Sequence, residues 1–224
     1  MRQSIIAMKL LEASPTAVSA DDLKEAGVSA ETLRRMLAAN VIERPAAGHY
    51  TIRGRTNIMD FDWVAFSLQV PTGVIGLLSA AVHHGMTQEM PPYLQAFAPR
   101  TRAGDFKLGG ESGARVDLVT TRNKEALTIG IETVIKSGHP IKITSKERTL
   151  VDLFLFSPFC SRATDRSARI PEETFLDALS RCVEDEDFDF DTLHKKIAPR
   201  FGCADQISPF TKTSRFIAPR SPSM

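Results

Sequence analysis

The chain has 224 residues, 42% of them hydrophobic and 25% charged, a composition that builds a packed core and excludes intrinsic disorder. Its formal net charge of +1 excludes the chain-wide basic field of sequence-blind nucleic-acid packaging, so any contact with DNA has to be local. Cys160, Cys182 and Cys203 are odd in number and widely spaced, which excludes a disulfide framework; with no secretory signal and no apolar stretch of membrane-span length, a cytoplasmic protein without membrane contact is expected.

In residues 2–13, Ile5, Ile6, Met8, Leu10 and Leu11 recur at helical spacing and predict an amphipathic helix that stops before Ser14-Pro15. Ser19, with Asp22 three residues on, forms a capping box that opens a short second helix, closed at Gly27. Ser29 opens a third, with Leu33, Met36 and Leu37 on its buried face and Glu31, Thr32, Arg34 and Arg35 off it. After Asn40, the segment Val41-Ile42-Glu43-Arg44, a turn from Pro45 to Gly48 and His49-Tyr50-Thr51-Ile52-Arg53 predict a β-hairpin. Two helices joined by a tight turn and followed by a hairpin make a winged helix-turn-helix of residues 1–57.

A helix fits the major groove, its N-terminal half reaches base edges, and flanking arginines reach phosphates. The candidate DNA-binding residues are therefore Ser29, Glu31, Thr32, Arg34 and Arg35 on the third helix, with Arg44, His49 and Arg53 on the wing. The same pattern also describes a small helical domain with a solvated charged face, or one used in protein contacts, and Glu31 opposes phosphate.

Residues 60–69 and 72–85 read as helices, the second rich in small and apolar residues, and 93–98, 115–120, 129–135 and 140–144 read as strands. Gly104, Gly109, Gly110, Gly113, Gly130 and Gly138 punctuate this region as turns. Thr144 and Glu147 predict a capping box for a helix carrying Leu150, Val151, Leu153 and Phe154, with Arg148 and Asp152 on one face. From Pro171 a further helix carries Phe175, Leu176, Leu179 and Val183. The acidic run 184–191 then reads either as a solvated turn, with Asp189 or Asp191 capping a helix over 193–198 and Phe188 and Phe190 as anchors, or as a face for a basic partner. Beyond Pro199 the chain is basic, with Arg200, Lys212 and Arg215, and 218–224 is expected to fray. The fold class is α+β: the winged helix-turn-helix, then a mixed α/β domain of residues 58–224 with a central sheet.

Catalytic constellations are hard to assemble from this chain. Gly109-Gly110-Glu111-Ser112 followed by Asp117 evokes the turn of a nucleotidyltransferase, but position 119 is Val where a second metal-binding carboxylate belongs, and no Gly-Lys-Ser/Thr makes a P-loop. His83 and His84 diverge by about 100° on a helix, a poor chelate without an HExxH or Cys/His cluster beside it. Cys160 reads as a core residue. No catalytic residue, metal site or cofactor is expected; the competing reading is a small nucleotidyltransferase-like enzyme with an appended winged helix.

Three phrases bear on function: Gly27-Val28-Ser29-Ala30-Glu31-Thr32-Leu33-Arg34-Arg35-Met36-Leu37 with Gly48-His49-Tyr50; Leu78-Ser79-Ala80-Ala81-Val82-His83-His84-Gly85-Met86-Thr87 leading to Pro91-Pro92-Tyr93; and Thr144-Ser145-Lys146-Glu147-Arg148-Thr149-Leu150-Val151-Asp152-Leu153. In their order and spacing the chain resembles the AbiEi family of antitoxins, the regulatory half of bacterial type IV toxin-antitoxin and abortive-infection modules. The resemblance implies repression of the module's own promoter through inverted repeats in double-stranded DNA, and neutralisation of a cognate toxin with a nucleotidyltransferase-like fold.

Overall fold

A computed structural model describes residues 2–100, 106–111, 113–160 and 170–217; the turn expected at Gly104, Ser112 of the glycine turn and the tail 218–224 lie outside them. The fold is mixed α+β. It falls into two compact units, one of Met1–Gly73, Gly104–Val116 and Thr133–Lys142, the other of Val74–Ala103, Asp117–Glu132 and Ile143–Met224. The first unit thus continues past residue 57 and takes in two later segments. Among the described residues no helix is long and apolar enough to cross a membrane.

The first unit begins with α1 (Arg2–Ala13), β1 (Val18–Ser19), α2 (Ala20–Glu25) and α3 (Ala30–Ala38). Ser19 caps α2 reciprocally: its Oγ accepts from the Asp22 amide at 3.1 Å and donates to the Asp22 carboxylate at 2.7 Å. Gly27, at φ +85°, closes that helix in the left-handed region that favours glycine. β2 (Ile42–Ala46) and β3 (His49–Ile52) form the expected hairpin, but β2 runs through Pro45 to Ala46, so only Ala47 and Gly48 turn. Proline is tolerated there because the ladder shifts register between Glu43 and Ala46 and asks no amide of it. β1 adds a third strand to β3, with Val18 opposite Tyr50, which two residues of local pattern could not announce.

Ala7, Leu11, Leu23, Val28, Leu33, Met36 and Ile42 form the core of these elements; Leu37, expected with them, is half-buried. α4 (Phe61–Gln69) packs on β2. β6 (Phe106–Lys107) pairs with the start of β7 (Arg115–Thr121). β8 (Ile131–Lys136) and β9 (His139–Thr144) are joined by Ser137 and Gly138, both at positive φ, as the tightest hairpin turn requires.

In the second unit, residues 72–85 do not form one helix. Val74 and Ile75 are strand β4, which pairs antiparallel with β5 (Leu94–Pro99) and, through Ile75 and Ile143, parallel with β9. β-branched side chains favour that pleated environment, and tertiary pairing overrides the local helical pattern. Gly76 comes next, where a Cβ would lie 2.3 Å from the Phe97 ring, and only then does α5 (Leu77–His83) begin. α6 (Lys146–Leu155) is capped by Ser145, not by Thr144: Ser145 Oγ accepts from the Arg148 amide and donates to Glu147, while Thr144 turns inward to the Thr149 hydroxyl at 2.7 Å.

α7 (Glu172–Glu184) buries Phe175 and Leu179, whereas Leu176 is 46% exposed. One residue past Phe175, it is rotated about 100° away from it. Within the acidic run Phe188 and Phe190 are buried as anchors and Asp189 caps α8 (Phe190–Thr192). A π-helical turn, Leu193–Ile197, and α9 (Ala204–Ile217) complete the unit, the last where only basic character was expected. Phe154, Phe159, Phe175 and Phe210 pack in tilted and edge-on pairs with centroids 4.8–5.8 Å apart, and Cys160 lies in this core.

Arg148 is buried with only 1% of its surface exposed. Its Nε donates to Asp152 Oδ1 at 2.8 Å, and its terminal nitrogens donate to the carbonyls of Ile129 and Ala126. Burial pushes the Asp152 carboxyl up to about 6, with Arg148 pulling the other way. The folded chain therefore holds this proton more tightly than the unfolded one, where the ordinary value is 3.8. The associated stabilisation is full below that ordinary value and is lost as pH rises towards 6. Between pH 4 and 7 the wild type should lose on the order of 2–3 kcal/mol relative to Asp152→Asn, read by urea denaturation across the range. A difference that does not vary with pH would show that Arg148 keeps the carboxylate ionised throughout.

Candidate nucleic-acid interface

α3 has nine residues, and its geometry is set at its first turn. Ser29 caps it, accepting from the Thr32 amide. The carboxamide of Gln3, from the first turn of α1, then gathers three donors on one oxygen: the Ser29 amide at 3.3 Å, the Ser29 hydroxyl at 2.8 Å and the Thr32 hydroxyl at 2.7 Å. Thr32 is accordingly buried, and its side chain holds the helix in place instead of facing outward.

Beyond that turn, Arg34 and Arg35 are 77% and 72% exposed, and both pair with Glu31, at 2.6 Å and 3.7 Å. Exposed pairs of this kind contribute a few tenths of a kcal/mol, so a stronger anion can displace Glu31 cheaply. Glu31, Arg34 and Arg35 thus share the exposed side of one short helix, whose buried side is Thr32, Leu33 and Met36, while Ser29 is exposed at the cap with its hydroxyl engaged by Gln3.

The wing residues are arranged differently. Arg53 is exposed, but its guanidinium donates to Glu111 at 3.1 Å. Arg44 is half-buried; its amide donates to the other Glu111 oxygen, and its carbonyl accepts from the Glu111 amide at 2.9 Å. The approach is close enough that a Cβ at Gly110 would stand 2.4 Å from the Arg44 carbonyl oxygen, and Gly110 has φ +81°. The glycine turn is thus a brace for the hairpin. His49, at the start of β3, directs Nδ1 to the Ala47 carbonyl across the turn.

Four anchoring residues escaped the sequence reading. Gln3 at the α3 cap and Glu111 at the hairpin are two of them. Glu43 is buried and accepts from the amides of Gly54 and Thr56, closing the chain after β3. Arg55 donates to the carbonyls of Leu11 and Ser14, tying the end of α1 to that same segment. Their partners are 11–67 residues away, beyond the reach of local pattern. Among the described residues no three His, Cys, Asp or Glu side chains converge as a metal site; His84 spends its Nε2 on the Thr144 carbonyl at 2.7 Å.

No family model and no curated protein matches the chain. Among solved structures, the chain is similar to the crystal structure of the RV2827C protein from Mycobacterium tuberculosis, with a TM-score of 0.56 and 16% identity over 94% of this chain and 75% of that one. At that identity the likeness is one of fold.

Replacing the shared acceptor tests the anchoring of α3. Gln3→Ala should cost about 1–2 kcal/mol in urea denaturation, because three donors lose their partner, while Gln3→Glu, which keeps an acceptor beside a helix N-terminus, should remain near wild type. Equal stability of all three proteins would show that the junction contributes nothing.

Proposed function

We propose that this protein is a non-enzymatic, DNA-binding transcriptional regulator of the AbiEi-antitoxin kind, acting in the cytoplasm. In this reading residues 1–57 are a winged helix-turn-helix that lays α3 in the major groove of inverted repeats in its own promoter. Residues 58–224 bind a cognate toxin with a nucleotidyltransferase-like fold.

The observation that carries the first half is the outward side of α3. Two well-exposed arginines stand on a capped, pinned helix, and their present partner is a single exposed carboxylate. A rigid helix offering cations on one side meets the geometric demand of groove recognition. Ser29 and Glu31 lie at its N-terminal end, where base edges come within reach, and Arg44, His49 and Arg53 on the hairpin meet the sugar-phosphate backbone. Thr32 contributes by holding α3. The second half rests on the resemblance of the phrases around α5 and α6 to the family.

With the full chain and a fragment of DNA from upstream of its own gene, the paired substitution Arg34→Ala/Arg35→Ala should weaken binding at least about tenfold with little change in melting temperature. Glu31→Gln should strengthen binding, specific and random DNA alike, because the arginines lose their competitor. Fluorescence anisotropy over a range of salt concentrations reads both; unaltered affinity in the double variant would remove α3 from the interface. Arg53→Ala should lower the salt slope by about one. The toxin half is read separately, by co-expressing the full chain with a nucleotidyltransferase-like neighbour. Growth should be rescued, and a chain that instead consumed a nucleotide in a metal-dependent assay would be an enzyme.

A further inference from the structure

The first unit contains a cavity of about 470 Å³ that includes no residue of α3, though it shares His49 with the proposed hairpin contact to DNA. Its walls come from the turn after α1 (Thr16), the start of β3 (His49), the last turn of α4 (Ser67, Leu68) and β9 (His139, Lys142). The volume lies in the range of small-molecule sites, which pair an apolar lining with a few convergent polar groups.

The character of those groups is specific. Among the described residues lining the cavity none is acidic, whereas two imidazoles and an ammonium are present. His139 is buried and its Nε2 accepts from the Ala17 amide at 3.1 Å, which places the ring proton on Nδ1 and makes that nitrogen a donor. His49 directs Nδ1 to a carbonyl, so its Nε2 remains to accept, or to donate once protonated. Burial, and after it the charge of His49, hold the His139 imidazole below its ordinary value, which favours the neutral ring whose Nδ1 proton is free to donate. Lys142 supplies the fixed cation, and among the described residues its hydrogen-bond partner is the Pro71 carbonyl at 3.2 Å. Leu68, Val70 and Pro140 give the apolar remainder.

We propose that this cavity is a binding site for a small organic acid, whose carboxylate meets Lys142 and the two imidazoles and whose carbon body lies against Leu68 and Val70. The chemistry asks for both parts: a bare inorganic anion leaves the apolar wall uncovered, and a neutral molecule leaves the Lys142 ammonium unmatched.

The test uses the full chain and no DNA, so it stands or falls independently of the proposed regulator function. Acetate, butyrate and benzoate, each with its amide and with inorganic phosphate as a further control, are titrated while the ring resonances of the five histidines are followed by NMR. His49→Gln and His139→Gln assign the two signals that matter. At least one acid should shift both saturably, more tightly with the larger carbon body, while its amide leaves them in place. Lys142→Met, at an exposed position, should weaken that acid by about fivefold or more without lowering the melting temperature. The assignment is overturned if no acid moves the two signals, if amide and acid bind alike, if phosphate binds as tightly as the best acid, or if Lys142→Met leaves affinity unchanged.

Discussion

The second unit is organised around a cation that cannot reach water. Arg148 lies over the Phe201 ring, 3.9 Å from its centroid, and 5.6 Å from that of Phe97. Its donors are taken by Asp152 and by the carbonyls of Ile129 and Ala126. A buried guanidinium is tolerated only when its donors are matched, so α6, the loop before β8, β5 and the chain after the π-helical turn are each held to the position that matches them. Gly130 is part of the same constraint, since a Cβ there would stand 2.6 Å from Arg148 Cβ. The match is incomplete on the acid side. Asp152 Oδ2 is buried without a partner, which fits the upward displacement of that carboxyl.

The first unit solves a related problem with the signs reversed. Buried Glu43 and half-buried Arg55 take up backbone groups at the seam where the hairpin leaves the sheet and α1 ends. At α3 the anchoring falls to Gln3 through Ser29 and the inward-facing Thr32, which leaves Arg34 and Arg35 free of structural duties. Exposed arginines on a helix held this firmly lose little freedom on meeting a partner, and Glu31 already keeps them in one orientation. The same pairing moderates their field, consistent with a chain whose net charge is only +1.

The elements most legible in the sequence are those specified by nearby residues. α1, the Ser19 and Ser29 caps, Gly27 and the paired strands of the hairpin are all set by contacts within a few positions. Legibility fails where distant chain decides: β4 is a strand because β5 and β9 flank it, and β1 exists because β3 offers an edge. At α6 the miss is smaller, a cap displaced by one residue because Thr144 has a better partner in Thr149. For the candidate interface, sequence pattern located Arg34 and Arg35 on the outward side of α3, but it assigned Thr32 there too, having no view of Gln3. Likewise it found the wing cations but not Glu111, which pairs with the Arg53 guanidinium and accepts from the Arg44 amide, since nothing local links position 111 to positions 44 and 53.

The brace supplied by Glu111 and the strand segment that carries His139 have a consequence for how the molecule is made. The hairpin is synthesised early, yet the groups that steady it, Glu111 against Arg44 and Arg53 and His139 against Ala17, are added tens of residues later. Domains commonly fold from the N-terminus as the chain emerges, but this first unit includes Thr133–Lys142 and cannot close until those residues leave the ribosome. A nascent chain shorter than that carries α3 without its full scaffold. The complete set of contacts of the first unit is thereby deferred until well over half of the protein exists, a delay written into the order of its codons.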